Sequence, residues 1–211
     1  NVAEVERMVS GELDGWTGIA VPSSKANDKP VRTSRAVRIV RKEDAPQSEV
    51  RIGHVGVPRT HPDYFSITVM NAVMGGLFSS RINLNLREAH GYTYGASSSF
   101  DWRREAGPFV VGTAVASDVT VPAIQETLKE IDRMRSEPIS DSELSLATSY
   151  LEGVFPIRYE TTAAIAAALA TLTVYNLPSD WYDSYRERMS AVTVEDVLAA
   201  ARAYVHPESL Q

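Results

Sequence analysis

The chain has four histidines, His54, His61, His90 and His206, and no cysteine, so thiolate metal sites, a cysteine nucleophile and disulfides are excluded together. A hydrolytic zinc site takes about three protein ligands and keeps one position open for water. Helical sequences supply two of those ligands as His residues four apart with a Glu between them. Four residues after the histidines stand Pro58, Phe65, Tyr94 and Leu210. No two His therefore share a helical face, neither H-x-x-E-H nor H-E-x-x-H occurs, and the chain is expected to hold no metal of its own. Serine catalysis is also unsupported, because no G-x-S-x-G turn is present, and Ser97-Ser98-Ser99 reads as the polar face of a strand. Gly75-Gly76 lacks the glycine spacing and the Lys of a phosphate loop and reads as the end of a helix. Arg32, Arg35, Arg38, Arg41 and Lys42 read as a solvated edge strand guarded by charge. A phosphate track is the weaker reading, since a net charge of -6 argues against a dedicated nucleic-acid binder.

The elements that must position such residues follow from periodicity. With 211 residues, 44% of them hydrophobic, the chain can bury one main core, and no apolar run is long enough to span a membrane. Val2, Val5, Met8, Val9 and Leu13 keep helical spacing from the first residues, which is not the pattern of a signal peptide. A chain that opens inside a helix is expected to be a piece of a longer polypeptide. Gly15, Gly18, Pro22, Asn27 and Pro30 mark a linker, so the expected division is a terminal helix over 1–18, a linker over 19–35 and a domain over 36–211. Within that domain Ala36 to Arg41 and Glu49 to Val57 read as strands, the second alternating Val50, Ile52 and His54 against Arg51, Gly53 and Val55. A helix follows Pro62 and stops at Gly75-Gly76, and a second runs from Ser79 to Glu88. Tyr92 to Trp102 and Pro108 to Ala116 form a strand pair. The helix after Thr120 is expected to bury Val121, Ile124, Leu128 and Ile131. The remainder is helical, with starts at Ser140 with Glu143, at Ser179, and at Thr193 with Asp196. The expected class is α+β, an antiparallel or mixed sheet with helices packed on one face.

One cluster is more specific than any of this: Gly75-Gly76-Leu77-Phe78-Ser79-Ser80-Arg81, then Leu86-Arg87-Glu88-Ala89-His90-Gly91-Tyr92-Thr93-Tyr94-Gly95. It resembles the second-domain signature of the pitrilysin and insulinase family of zinc peptidases, the inverzincins. The resemblance implies the LuxS/mitochondrial-processing-peptidase-like metallohydrolase fold, and a chamber built from two domains of like fold. The first domain carries H-x-x-E-H and zinc, while the second usually has no metal ligand and contributes an Arg and a Tyr, here Arg87 and Tyr92. It also implies the partners: a zinc-bearing catalytic domain or subunit and a peptide substrate. The chain would be the non-catalytic domain that completes the chamber of a zinc metalloendopeptidase, or, alternatively, a catalytically dead scaffold or assembly subunit of the same family.

Physical chemistry gives the two side chains suitable parts. Attack of water on a peptide carbonyl places negative charge on the oxygen, and donors aimed at it stabilise the transition state more than the substrate. Tyr92 can donate while neutral, and Arg87 is a permanently charged planar fork of donors. Their structural alternatives are a salt bridge from Arg87 to Glu88 or Glu105, and packing of Tyr92 at a strand start. Leu77 and Phe78 are expected to pack between the two helices, the alternative being an exposed edge that touches substrate.

Overall fold

The computed structural model describes residues 1–18 and 32–211, and its contacts fall into two units, Asn1–Pro30 and Val31–Gln211. The first contains helix α1 (Val2–Leu13), as the apolar spacing predicts; the Asn1 side chain caps it by accepting from the Ala3 N–H (3.2 Å). Most of the linker assigned to 19–35 lies outside the described residues.

The second unit is built on three antiparallel strands, β1 (Gln47–Val55), β2 (Ala96–Phe100) and β3 (Pro108–Ala116), in the order β1-β3-β2. Val50, Ile52 and His54 stand opposite Thr113, Val111 and Phe109, and with Ala96, Ser98, Phe100 and Val115 they make one buried face. A slip of one residue would turn that whole set to solvent, which is what fixes the register. The helices are α2 (Tyr64–Asn71), α3 (Arg81–Asn83), α4 (Thr120–Ser136), α5 (Asp141–Arg158), α6 (Thr162–Tyr175), α7 (Tyr185–Ser190) and α8 (Val194–Tyr204). Helices α2 and α4 pack against the strands and α8 packs on both. The class is α+β with a small antiparallel sheet, as expected.

Four local expectations are corrected. Ala36 to Arg41 is not a strand. The Ala36 N–H donates to Leu210 O (3.1 Å), and it is Gln211 that lies beside β1, exchanging two bonds with Gly53 (3.1 and 2.9 Å). Without a ladder of its own, the segment leaves Val37, Ile39 and Val40 at 85%, 86% and 93% exposure; β-branched composition favours a strand only where pairing is available. The reading of the basic run as an edge strand falls with it. In α4 the buried side is rotated: Ala123, Thr127, Glu130, Ile131 and Met134 are buried, Ile124 and Leu128 are half-buried, and Val121 is exposed. Thr127 fits this face because its hydroxyl donates to Ala123 O (2.8 Å), and Glu130 because it pairs with Arg133 (3.0 Å). Ser179 starts no helix; residues 179–184 form turns, and α7 begins after Ser184. Finally, the helix expected over Ser79 to Glu88 is a single α-turn, α3, that widens into a π-turn over Leu84–Ala89. The starts at Ser140 and Thr193 are as expected, each closed as a reciprocal capping box.

Candidate functional site

The glycine pair, the Ser-Ser-Arg run and the following turn form one connected piece of backbone. Helix α2 ends in a π-turn over Ala72–Gly76, with the Leu77 N–H donating five residues back to Ala72 O (3.2 Å). This presses Gly75 against β2. A Cβ there would stand 2.6 Å from the Ser98 N and 2.7 Å from its Cβ, so only glycine permits the approach. Asn71 anchors the same contact, accepting from the Ser98 hydroxyl (2.8 Å) and donating to Ser98 O (3.1 Å).

Beyond the turn the chain is fixed again. Ser80 is buried and caps α3 through its carbonyl, which accepts from the Leu84 N–H (2.8 Å). Arg81 is locked bidentately to Glu143 of α5, Nε to Oε1 at 2.6 Å and Nη2 to Oε2 at 3.0 Å. That guanidinium holds the Glu143 carboxyl down to about 2. The Asn83 amide donates to Phe78 O (2.6 Å) and its Oδ1 accepts from the Ala96 N–H (3.0 Å), tying the turn to the first residue of β2. Sequence reasoning missed Asn71, Asn83 and the Glu143 partner, because nothing in their types or spacing shows which distant group each meets.

Arg87 and Tyr92 leave the backbone on either side of one helix cap. The π-turn ends with the His90 N–H donating to Asn85 O (3.1 Å), the Gly91 N–H to Arg87 O (3.1 Å) and the Tyr92 N–H to Leu86 O (2.8 Å). These bonds resemble the common left-handed helix cap, each spanning one residue more. Gly91 makes the reversal at φ +65°. The Tyr92 ring stacks on His90 (centroids 4.9 Å apart, planes 18° apart), and His90 Nε2 is 3.8 Å from Glu126 Oε2 of α4. Glu126 is held in its charged form, below the usual carboxylate range, first by the Asn85 amide and then by Lys129. After Tyr92, the Thr93 hydroxyl donates to Ala114 O (2.8 Å) and accepts from the Thr113 hydroxyl (3.0 Å), which fixes the approach to β2.

The Arg87 side chain is one-third exposed. Its Nη1 is 3.6 Å from Glu88 Oε1, so of the two carboxylates considered, Glu88 is its partner. Its Cζ lies 4.4 Å from the centre of the Phe78 ring. Phe78 itself is 70% exposed, which corrects the expectation that it packs between helices; only Leu77 reaches the core. One capped turn thus carries both side chains, Arg87 half-buried beside Glu88 and Phe78, and Tyr92 half-buried with its ring against the core and on His90. The donors present do not fit zinc. Among the described residues no group of three or more His, Asp or Glu converges on a point, and the His54 ring nitrogens are already bonded to Val55 O and to the His206 N–H.

A family model described as the Peptidase M16 inactive domain matches residues 1–151. The chain belongs to this family. An uncharacterised zinc protease of Streptomyces coelicolor is 25% identical over 178 residues, 84% of this chain and 39% of that protein. The uncharacterised zinc protease YmxG of Bacillus subtilis is 22% identical over 152 residues, 72% of this chain and 37% of that protein. The chain thus spans about two-fifths of the length of these relatives. Among solved structures, a protease from Helicobacter pylori superposes with a TM-score of 0.87 at 15% identity, covering all of this chain and 51% of that one. The peptidase M16 inactive domain from Pseudomonas fluorescens gives 0.74 at 24% identity, covering 79% and 40%. At these identities the structures show the M16 fold. They agree with the resemblance carried by the Phe78–Arg81 and Leu86–Gly95 runs.

Proposed function

We propose that this M16 inactive domain is the substrate-holding half of a zinc metalloendopeptidase, completing a chamber whose zinc and catalytic residues belong to a partner domain or subunit. The observation that carries the reading is the single capped turn that presents Arg87 and Tyr92 together. A carbonyl oxygen gaining charge needs donors that are already in place, because reorganising them during the reaction would consume the stabilisation they give. Arg87 acts as the clamp on a substrate carbonyl and contributes already in the ground state. Tyr92 donates its hydroxyl to the developing oxyanion and contributes chiefly in the transition state.

The test is kinetic and uses the complete protease. Tyr92→Phe removes only the hydroxyl and is expected to lower kcat by roughly one to three orders of magnitude, the range for loss of one such donor. Arg87→Ala is expected to raise KM as well, with zinc content and thermal stability unchanged in both. Normal kcat and KM in both variants would instead support the scaffold reading, in which the two side chains only pack.

A further inference from the structure

Phe78 is an exposed aromatic on a backbone that is unusually well fixed. Leu77 before it packs on the core, Ser80 after it is buried, and its own carbonyl is held by Asn83 at 2.6 Å. A single exposed apolar residue is ordinary on a protein surface, so exposure alone decides nothing. Two further observations do. The Arg87 guanidinium carbon sits 4.4 Å from the Phe78 ring centre, within the range of a cation–π contact. In addition, Arg87 Nη1 is shielded from solvent and makes no hydrogen bond among the described residues, its ion pair with Glu88 being long at 3.6 Å. The ring therefore supports the cation on one side while most of its remaining surface faces solvent.

We propose that Phe78 is an apolar subsite beside Arg87. Its free surface receives a large apolar side chain of the bound peptide, next to the carbonyl that Arg87 holds, so Phe78 sets a preference for such a residue at one position of the substrate. This rests on the reading of Arg87 as a clamp. The dimensions agree. An extended peptide rises about 3.3 Å per residue, so a carbonyl at the guanidinium and a side chain on a ring 4.4 Å away belong to the same or adjacent residues. The chemistry agrees as well. An apolar side chain laid on the ring removes water from around the guanidinium and strengthens its hold on the carbonyl.

The experiment uses the complete protease and two peptides that differ only at the position varied, Leu in one and Ser in the other; a position scan of the peptide identifies it. Phe78→Ala is expected to lower kcat/KM for the Leu peptide about three- to tenfold more than for the Ser peptide, the order of one to two methylene groups left unburied, the smaller loss common to both peptides reflecting the ring's support of Arg87. Phe78→Leu, which keeps an apolar surface, is expected to retain the preference. An equal loss on both peptides, or no loss on either, overturns the subsite. Arg87→Ala, measured on the same pair, reports separately on the clamp. If it has no effect while Phe78→Ala abolishes the Leu preference, the clamp fails and the apolar contact stands; the reverse result sinks the subsite alone.

Discussion

Both ring nitrogens of His54 are committed. The His206 N–H donates to Nε2 (3.1 Å), which therefore carries no proton, and Nδ1 donates to Val55 O (2.8 Å). Burial pushes the imidazole below its ordinary value of 6.5, the nearby His206 adding to the effect. The sign follows from counting protons. Between the lowered folded value and about 6.5 the unfolded chain binds more protons than the folded one, so stability rises with pH through that window. The contribution is fully present above about pH 6.5 and is lost as pH falls below it. Denaturation measured at pH 7.5 and at pH 5.5 is expected to show the loss, and His54→Gln is expected to remove this part of the pH dependence. An unchanged pH dependence in the variant would mean that another group carries it. The sequence shows that His54 has no metal-ligand companion at helical spacing; its bond to His206 spans 152 residues and could not be read from it.

At the scale of elements, the π-turned α2–α3 corner is held from three sides: by Gly75 against β2, by Asn83 between Phe78 and Ala96, and by Arg81 on Glu143. The last of these is the long-range tie, joining α3 to the first turn of α5, where Glu143 also closes the capping box with Ser140. Glu143→Gln keeps the cap's shape but leaves a largely buried guanidinium without its anion. It is expected to cost about 1–3 kcal/mol of stability in urea denaturation, the range for a charged hydrogen bond lost from a part-buried site. The same pair predicts acid sensitivity. A carboxyl held at about 2 contributes stability that is present above its ordinary range near 4.5 and is lost as pH falls toward 2. If Glu143→Gln matches the unaltered chain at pH 7, the pair is not what fixes the corner. The sequence made legible the elements whose signal is local, namely the alternation in β1 and the two capping boxes. Ala36 to Arg41 has the composition of a strand as good as β1, yet pairing is a property of two segments, and here Gln211 takes the neighbouring place. In α4 the apolar spacing finds Ile131 and the half-buried Ile124 and Leu128 but not Thr127 and Glu130, which are polar by type and are accommodated in the core by their bonds to Ala123 and Arg133.

At the scale of the whole molecule, two kinds of surface are left uncovered among the described residues, and they differ in what they offer to another molecule. One is the outer edge of β1, together with the exposed Val37–Val40 segment that follows the Ala36 bond to Leu210. Gly53 directs both its backbone groups outward, to Gln211, so by the antiparallel alternation Glu49 and Arg51 direct theirs the same way, and no backbone partner for them is found among the described residues. Unpaired strand edges and exposed β-branched residues invite pairing with another chain. The other is the apolar surface on α5 and α6, where Leu146, Ile157, Ile165 and Leu169 are exposed; it offers contact area but no backbone groups. Apolar contact is the larger driving force for association but has no direction, whereas backbone pairing at an edge fixes one geometry. The 211-residue chain on its own is therefore expected to self-associate with rising concentration in sedimentation velocity. The double substitution Val37→Lys and Val40→Lys is expected to suppress this without moving the melting temperature, because neither side chain is buried and added charge opposes the stacking of exposed β-branched residues between copies. Leu169→Glu in α6 is the comparison. If it suppresses association and the lysine pair does not, the helical surface is responsible and the strand edge is already protected. If the lysine pair alone acts, association proceeds through the Val37–Val40 segment.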